Sequence, residues 1–237
     1  MRLTAEVILG AKVCLNALKD RELDLRGFKI PMIENLGVTQ NQFDTIDFSD
    51  NEIKKLGNFP LMKRLTTIYI TNNFVSQIDR EISSKLPNLD CLILTNNKIS
   101  VLSEVNNLSG CRYLTMASFI ENPIAYQQHY RLYVIHNLPS VKYLDFKKVK
   151  LEERKRAARL FKSEAGRTMN EDISKQKVAT FVPGQPAKVP LTVSQRNKIL
   201  QMIQTAKTSE EIDRLEKMLD AGIFPKVEEE KEGSWMG

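Results

Sequence analysis

The sequence is poor in the residue types that most often carry chemistry. Its 237 residues include two histidines, three cysteines and one tryptophan. Cys14, Cys91 and Cys111 form no close pair, so we expect free thiols in a reducing compartment. His129 and His136 have no cysteine or carboxylate at a metal-ligand spacing, and Cys91 has no neighbouring histidine base. We therefore expect no metal ion, no cofactor and no enzymatic activity.

Long apolar runs are also missing. No stretch approaches the roughly 20 apolar residues that a membrane helix needs, and the N-terminal segment lacks the features of a signal peptide. We therefore expect no membrane contact.

Excess positive charge is confined to one segment. Residues 147–177 contain 11 Lys/Arg and five Asp/Glu residues, a surplus equal to the chain's whole net charge of +6. The basic character therefore needs a local explanation.

An internal repeat dominates the first two thirds of the chain. The pattern L-x-L-x-x-N-x-I recurs at steps of 22 to 27 residues, mostly within the range of leucine-rich repeats. The alternating apolar residues point inward from a short parallel strand. The asparagine follows at the turn, where its side chain can satisfy backbone groups. The six copies predict an α/β leucine-rich-repeat solenoid with a curved parallel β-sheet on its concave face. The predicted asparagine ladder consists of Asn51, Asn73, Asn97 and Asn122.

Helical caps are expected at both ends of the solenoid, because each repeat buries its apolar face only against its neighbours. Thr4 can cap a helix over residues 5–18, and residues 126–137 favour a closing helix. Capping boxes further along the chain favour a helical hairpin. The predicted division is a repeat domain over residues 1–165, a linker over 166–191, a helical hairpin over 192–225 and a disordered acidic tail over 226–237.

The side chains that flank the buried apolar pair of each repeat should face the concave surface. This surface begins acidic and becomes apolar in the middle and later repeats, a combination typical of binding sites. It suits an amphipathic helix with an apolar face and a basic end. The alternative is that these apolar residues are incidental and that Ile120 belongs to a shifted register with Ala117 and Phe119. The candidate protein-binding residues are Glu22, Asp24, Asp47, Tyr69, Ile93, Met116 and Ile120.

Lysines that follow the last repeat suit contact with phosphate groups. Lys147, Lys148 and Lys150 leave the last strand together, and more basic residues follow on a charged helix. No aromatic residues are interleaved for base stacking, so we expect contact with an RNA backbone and no reading of its sequence. The alternative is a solvated helix with ion pairs such as Glu152–Arg156.

Several segments between the repeat positions are distinctive. They are DRELDLRGFKIPMIENLG (20–37), FDTIDFSDNEIKKL (43–56), LILTNN (92–97), HYRLYVI (129–135) and LDFKKVKLEERK (144–155). Together they resemble the U2 small nuclear ribonucleoprotein A' family. The resemblance covers about residues 3–165, and TSEEIDRLEKMLDAGIFP (208–225) is also similar.

The resemblance implies a non-catalytic spliceosomal scaffold in the nucleus. Its concave sheet would bind a helix of an RNA-recognition-motif partner similar to the B-double-prime protein. The pair would bind a stem-loop of U2 small nuclear RNA for pre-mRNA splicing, together with other spliceosomal proteins. A phosphatase-regulating leucine-rich-repeat scaffold is the alternative. Carried over by position, partner contacts fall on Glu22, Asp24, Asp47, Tyr69, Ile93 and Met116, and RNA-backbone contacts fall on Arg26, Lys147, Lys148 and Lys150.

Overall fold

A computed structural model describes residues 1–175 together with residues 201 and 203. Within this part of the chain, short strands alternate with turns and short helices. The strands are β1 (Lys12–Leu15), β2 (Arg21–Asp24), β3 (Thr45–Asp47), β4 (Lys55–Leu56), β5 (Thr67–Tyr69), β6 (Gln77–Ile78), β7 (Cys91–Ile93), β8 (Met116–Ser118), β9 (Tyr143–Leu144) and β10 (Lys147–Lys148). The α-helices are α1 (Ala5–Gly10), α2 (Ile82–Lys85), α3 (Tyr130–Asn137), α4 (Leu151–Lys162) and α5 (Glu164–Lys175), and 3-10 helices cover Leu36–Thr39, Leu102–Leu108 and Pro123–Tyr126.

One sheet joins the six repeats, in the order β1-β2-β3-β5-β7-β8-β9-β10. The six inner strands are parallel, whereas β1 and β10 pair antiparallel with β2 and β9 at the two edges. The register aligns the first apolar residue of every repeat, and each of these side chains is fully buried. The predicted α/β leucine-rich-repeat solenoid is confirmed. The aligned residues are Leu23, Ile46, Ile68, Leu92, Ala117 and Leu144.

The asparagine ladder ties each repeat to the one before it. The Asn97 Oδ1 atom accepts a hydrogen bond from the Val75 N–H at 3.0 Å, and its Nδ2 atom donates to the Ile70 and Leu94 carbonyls at 2.8 and 3.0 Å. Asn51, Asn73 and Asn122 accept in the same way from the N–H groups of Ile30, Ile53 and Ile99. All four side chains are buried. The turns therefore keep their backbone groups bonded without water.

The residue before each ladder asparagine adopts the left-handed conformation, with φ of 59° at Asp50, 55° at Asn72, 50° at Asn96 and 58° at Glu121. Asp and Asn tolerate this region well, but Glu does not. The Asn72 Nδ2 atom also donates to Asp50 Oδ1 at 2.7 Å, and the Asn96 Nδ2 atom donates to Asn72 Oδ1 at 3.0 Å. These bonds form a second, outer row of side chains that stops at Glu121.

Replacing Glu121 by asparagine should raise the free energy of unfolding by about 0.5–1 kcal/mol, because the left-handed backbone is then less strained. Urea unfolding of the chain measures the change. Glu52→Asn is the matched control, since it makes the same chemical change at an exposed residue outside the set with positive φ. Equal shifts in the two variants would contradict the assignment of strain to Glu121.

The N-terminal cap differs from the prediction. The Thr4 Oγ1 atom accepts from the Val7 N–H at 3.3 Å and begins α1, but the helix ends at Gly10. The helix predicted over residues 5–18 is therefore wrong beyond that point. Residues 12–15 instead form β1, because the open edge of β2 supplies partners for their backbone groups.

The C-terminal cap is longer than predicted. The α4 helix buries Ala157 and Phe161, and the Phe161 ring packs edge-on against Tyr133 with a centroid distance of 5.7 Å. The α5 helix then extends to Lys175 and buries Ile173, so the linker boundary predicted at residue 166 is wrong. Gly166 permits the close return of the chain, since a Cβ atom there would clash with the Leu160 carbonyl. The hairpin and tail predicted over residues 192–225 and 226–237 lie outside the described residues, apart from residues 201 and 203.

Candidate binding surface

Two rows of side chains cross the face of the sheet opposite the core. The strand register defines the members of each row, because residues paired between neighbouring strands project to the same side of the sheet. The first row consists of Glu22, Thr45, Thr67, Cys91, Met116 and Tyr143. The second row consists of Asp24, Asp47, Tyr69, Ile93 and Ser118. Ile120 follows two residues after Ser118 and is half-buried. All the candidate protein-binding residues except Ile120 therefore lie in these two concave rows.

The apolar part of the concave rows is less exposed than its sequence suggests. Tyr69 and Met116 are half-buried, but Ile93 is only 7% exposed. Its neighbours in the row are Tyr69 and Ser118, and inward curvature crowds side chains on this face. The expectation that Ile93 faces solvent is therefore wrong. Tyr69 and Met116 offer more apolar surface to a partner than Ile93 does.

The acidic end of the concave rows carries its own counter-ion. The Arg26 Nε and NH2 atoms donate to the two Asp24 carboxylate oxygens at 2.9 and 2.6 Å. The Arg26 Nε atom also lies 3.6 Å from Asp47 Oδ2. The hydrogen bond from Arg26 holds the pKa of Asp24 below its ordinary value. Arg26 was expected to contact an RNA backbone, but in this arrangement its guanidinium is engaged by Asp24 and Asp47.

Nucleophilic and metal chemistry find no support on this face. Burial, followed by the nearby charge of Asp90, raises the pKa of the Cys91 thiol to about 11, so the thiol is protonated at neutral pH. His136 stacks on Phe161 with a centroid distance of 4.9 Å, as part of the closing cap. Among the described residues, no group of three or more His, Cys, Asp or Glu side chains is placed to hold a metal ion. No helix in the same part of the chain is long and apolar enough to cross a membrane.

The basic residues in and around the closing cap fall into a structural group and an exposed group. Arg131 pairs with Glu153 at 2.6 Å and donates to the Leu144 carbonyl at 3.1 Å. Arg154 donates to the Pro139 and Val141 carbonyls at 2.9 and 2.6 Å. These two arginines therefore bind the closing cap together. In contrast, the basic edge, which consists of Lys147, Lys148 and Lys150, is exposed to solvent.

Two aromatic residues at the basic edge escaped the sequence reasoning. Tyr143 is 41% exposed and lies opposite Lys148 in the β9–β10 hairpin. Phe146 is 59% exposed in the two-residue turn of that hairpin. The statement that no aromatic residues are interleaved with these lysines is therefore wrong. The signal is present in the segment YLDFKK (143–148), where the tyrosine and the phenylalanine stand close to the two lysines.

Known proteins resemble the chain over most of its length. A family model described as leucine-rich repeat matches residues 1–174. The human protein U2 small nuclear ribonucleoprotein A' is 44% identical over 230 residues, which cover 95% of this chain and 90% of the relative. The protein of the same name from Schizosaccharomyces pombe is 41% identical over 239 residues, which cover 95% of this chain and all of the relative.

A solved structure supports the same assignment. A chain in the crystal structure of the Drosophila melanogaster SNF/U2A' complex is 40% identical, with a TM-score of 0.70. The match covers 73% of this chain and 99% of that one. Sequence similarity over 95% of the chain, together with fold similarity over 73% of it, shows the family directly. The chain therefore belongs to the U2 small nuclear ribonucleoprotein A' family of non-catalytic leucine-rich-repeat proteins.

Proposed function

We propose that the chain is a spliceosomal scaffold of the nucleus that holds a helix of an RNA-recognition-motif protein in its concave rows. The observation that carries the proposal is the aligned concave surface, in which Tyr69 and Met116 lie between an acidic and a basic end. A related chain was crystallised in a complex with a second protein, named SNF. The family membership gives no support to a phosphatase-regulating scaffold.

The chemistry of the concave rows defines the helix that they would hold. The apolar side of the helix would cover Tyr69 and Met116. Tyrosine offers a rigid aromatic ring and methionine a flexible apolar side chain, and both suit the centre of an interface. A basic residue of the helix would find Asp24 and Asp47 already engaged by Arg26. We therefore expect the half-buried Glu22 to be the acidic residue that meets the partner first.

A stem-loop of U2 small nuclear RNA is the proposed second ligand, bound by the chain and its partner together. The basic edge supplies three exposed ammonium groups on β10 and at the start of α4. Ammonium groups attract the phosphates of an RNA whatever its base sequence. The partner would therefore supply most of the sequence discrimination, while the chain adds affinity.

Replacing Tyr69 by alanine should weaken partner binding at least about fivefold, because tyrosines at an interface centre are enriched among residues whose truncation costs more than about 1 kcal/mol. The measurement is isothermal titration calorimetry against a B-double-prime-type protein from the same organism. Tyr113→Ala is the control, since Tyr113 is 63% exposed and lies outside the concave rows. Native affinity in the Tyr69 variant would exclude the concave rows as the partner site.

A pull-down tests the spliceosomal role separately. Failure of a tagged chain to recover U2 small nuclear RNA from nuclear extract would exclude the spliceosomal assignment.

A further inference from the structure

The β9–β10 hairpin contains an unusual turn. Leu144 pairs with Lys147, so only Asp145 and Phe146 connect the two strands. Both have left-handed backbone, with φ of 55° and 58°. Turns of this kind favour Asn-Gly or Asp-Gly, because the second residue tolerates positive φ best when it has no side chain. Phe146 occupies the position where glycine is preferred.

Phe146 stands apart from the other residues with this backbone. In the described part of the chain, 13 non-glycine residues have positive φ, and Phe146 is the only apolar one. The others are lysine, asparagine, glutamine, aspartate, glutamate and histidine. A bulky residue in this region is strained, and such strain persists where the surroundings fix it.

The surroundings do fix this turn. The Asp145 Oδ1 atom accepts from the Phe119 N–H at 2.8 Å, and its Oδ2 atom accepts from the Tyr130 hydroxyl at 2.9 Å. Tyr130 is buried, and its ring packs edge-on against Phe119. The turn is therefore held to the core through Asp145. Phe146, in contrast, leaves 59% of its surface in solvent, so core packing does not explain its ring.

Exposed lysines lie close to Phe146 along the hairpin. Lys147 follows it directly, and Lys148 lies beside Tyr143 on the neighbouring strand. Lys142, Lys147 and Lys148 are all exposed. An exposed aromatic ring and exposed lysines on one short hairpin suit the face of a base and the phosphates on either side of it. A protein partner with an apolar contact would not explain the lysines.

We propose that Phe146 is a stacking residue for an unpaired base of a single-stranded RNA segment whose phosphates contact the basic edge. The inference rests on the proposed RNA contact and extends it from the backbone to a base. Stacking on a ring tolerates any base, so the site would favour single-stranded over duplex RNA without selecting a sequence.

The test compares a fluorescein-labelled RNA strand of about 12 nucleotides with the same strand annealed to its complement. Fluorescence anisotropy with the full chain, at about 50 mM salt and without a partner protein, should show preference for the single strand. Phe146→Gly should weaken single-strand binding roughly 5- to 100-fold. The same substitution should raise the Tm by about 2–4 °C, because it removes the backbone strain. A ring needed for folding would give the opposite thermal shift and would overturn the proposal.

Further variants separate stacking from other roles. Phe146→Leu keeps apolar bulk but not the ring, and should also bind weakly. Phe146→Tyr keeps the ring and should bind like the native chain. Tyr126→Ala removes a side chain that is 82% exposed outside the hairpin, and should have no effect. A 4-thiouridine strand should crosslink within the hairpin, and crosslinking confined to other segments would contradict the site.

Failure of the proposal can be distinguished from failure of the proposed function. Unchanged binding by Phe146→Gly and Phe146→Leu, with equal affinity for both probes, would overturn stacking while leaving phosphate contact intact. Absence of binding to either probe would overturn stacking by the chain itself. Calorimetry on the Tyr69 variant decides the partner site independently, because no RNA is present in that measurement.

Discussion

Asn97→Ala is expected to lower the free energy of unfolding by about 2–4 kcal/mol. The substitution leaves the buried N–H of Val75 without its acceptor and the Ile70 carbonyl without its side-chain donor, whereas the Leu94 carbonyl keeps a hydrogen bond from Asn122. Asn97 is fully buried, so solvent cannot replace these bonds unless the turn opens. Urea unfolding, followed by far-UV circular dichroism, measures the change in midpoint and slope.

Asn88→Ala is the matched control. The Asn88 Nδ2 atom donates a single hydrogen bond to the Lys63 carbonyl at 2.7 Å, on an exposed residue. Water can take over that bond, so the loss should stay below about 1 kcal/mol. Similar losses in both variants would show that burial of the ladder contributes little.

Asn97→Asp provides a sharper version of the same test. Its carboxylate could still accept from Val75, but it would face carbonyl oxygens and be buried, and both effects raise the pKa of the new carboxyl. A raised folded-state pKa means that the carboxyl favours folding at low pH and opposes it as pH rises through that pKa. The deficit relative to the native chain should therefore shrink as the pH is lowered. The difference between variant and native chain is the useful quantity, because Asp24, Asp44 and Asp79 have lowered pKa values and themselves lose stabilising contacts in acid.

Replacing the three lysines of the basic edge by glutamine should flatten the salt dependence of RNA binding by about two to three units in a double-logarithmic plot. Each phosphate contact releases bound counter-ions, so every contact that is lost removes roughly 0.7–0.9 from the slope. The assay uses the chain, its partner and the stem-loop RNA across a range of salt concentrations. Binding should weaken for every RNA sequence alike, while affinity between the two proteins stays near native.

The neighbouring helix offers a control of equal charge. Lys155, Arg156 and Arg159 are exposed on α4, and their replacement by glutamine removes the same three positive charges. If phosphates contact the basic edge itself, this second triple variant should retain most of the slope. If the plots of RNA affinity against salt concentration are parallel for the native chain and the first triple variant, the three lysines do not contact phosphates and are only solvated.

The repeat framework could be predicted from the sequence because it depends on local periodicity. Leu92, Leu94 and Asn97 repeat a spacing found in the neighbouring copies, and stacked copies leave few alternative pairings. The concave rows follow from strand alternation and needed no tertiary information.

Other features depend on contacts that no local pattern reveals. The burial of Ile93 results from neighbours that belong to other repeats. Arg26 is engaged first by Asp24, two residues away, and its second contact, with Asp47, joins residues 21 apart along the chain. The α5 helix lies partly within the predicted linker, and it packs back only because Gly166 permits a close return of the chain, which no local pattern shows. Phe146 stands two residues after Leu144, at the spacing of the second apolar residue of a repeat, whereas the pairing of β9 with β10 places it in a turn.

The two antiparallel edge strands have a consequence for assembly. A stack of parallel repeats can in principle grow from either end, because each terminal strand offers its backbone to another copy. Here β1 and β10 reverse the strand direction at both ends, and Lys12, Lys147 and Lys148 place charge on those strands. The charge on both edge strands disfavours pairing with a second copy, so the sheet is protected against end-to-end polymerisation into fibres.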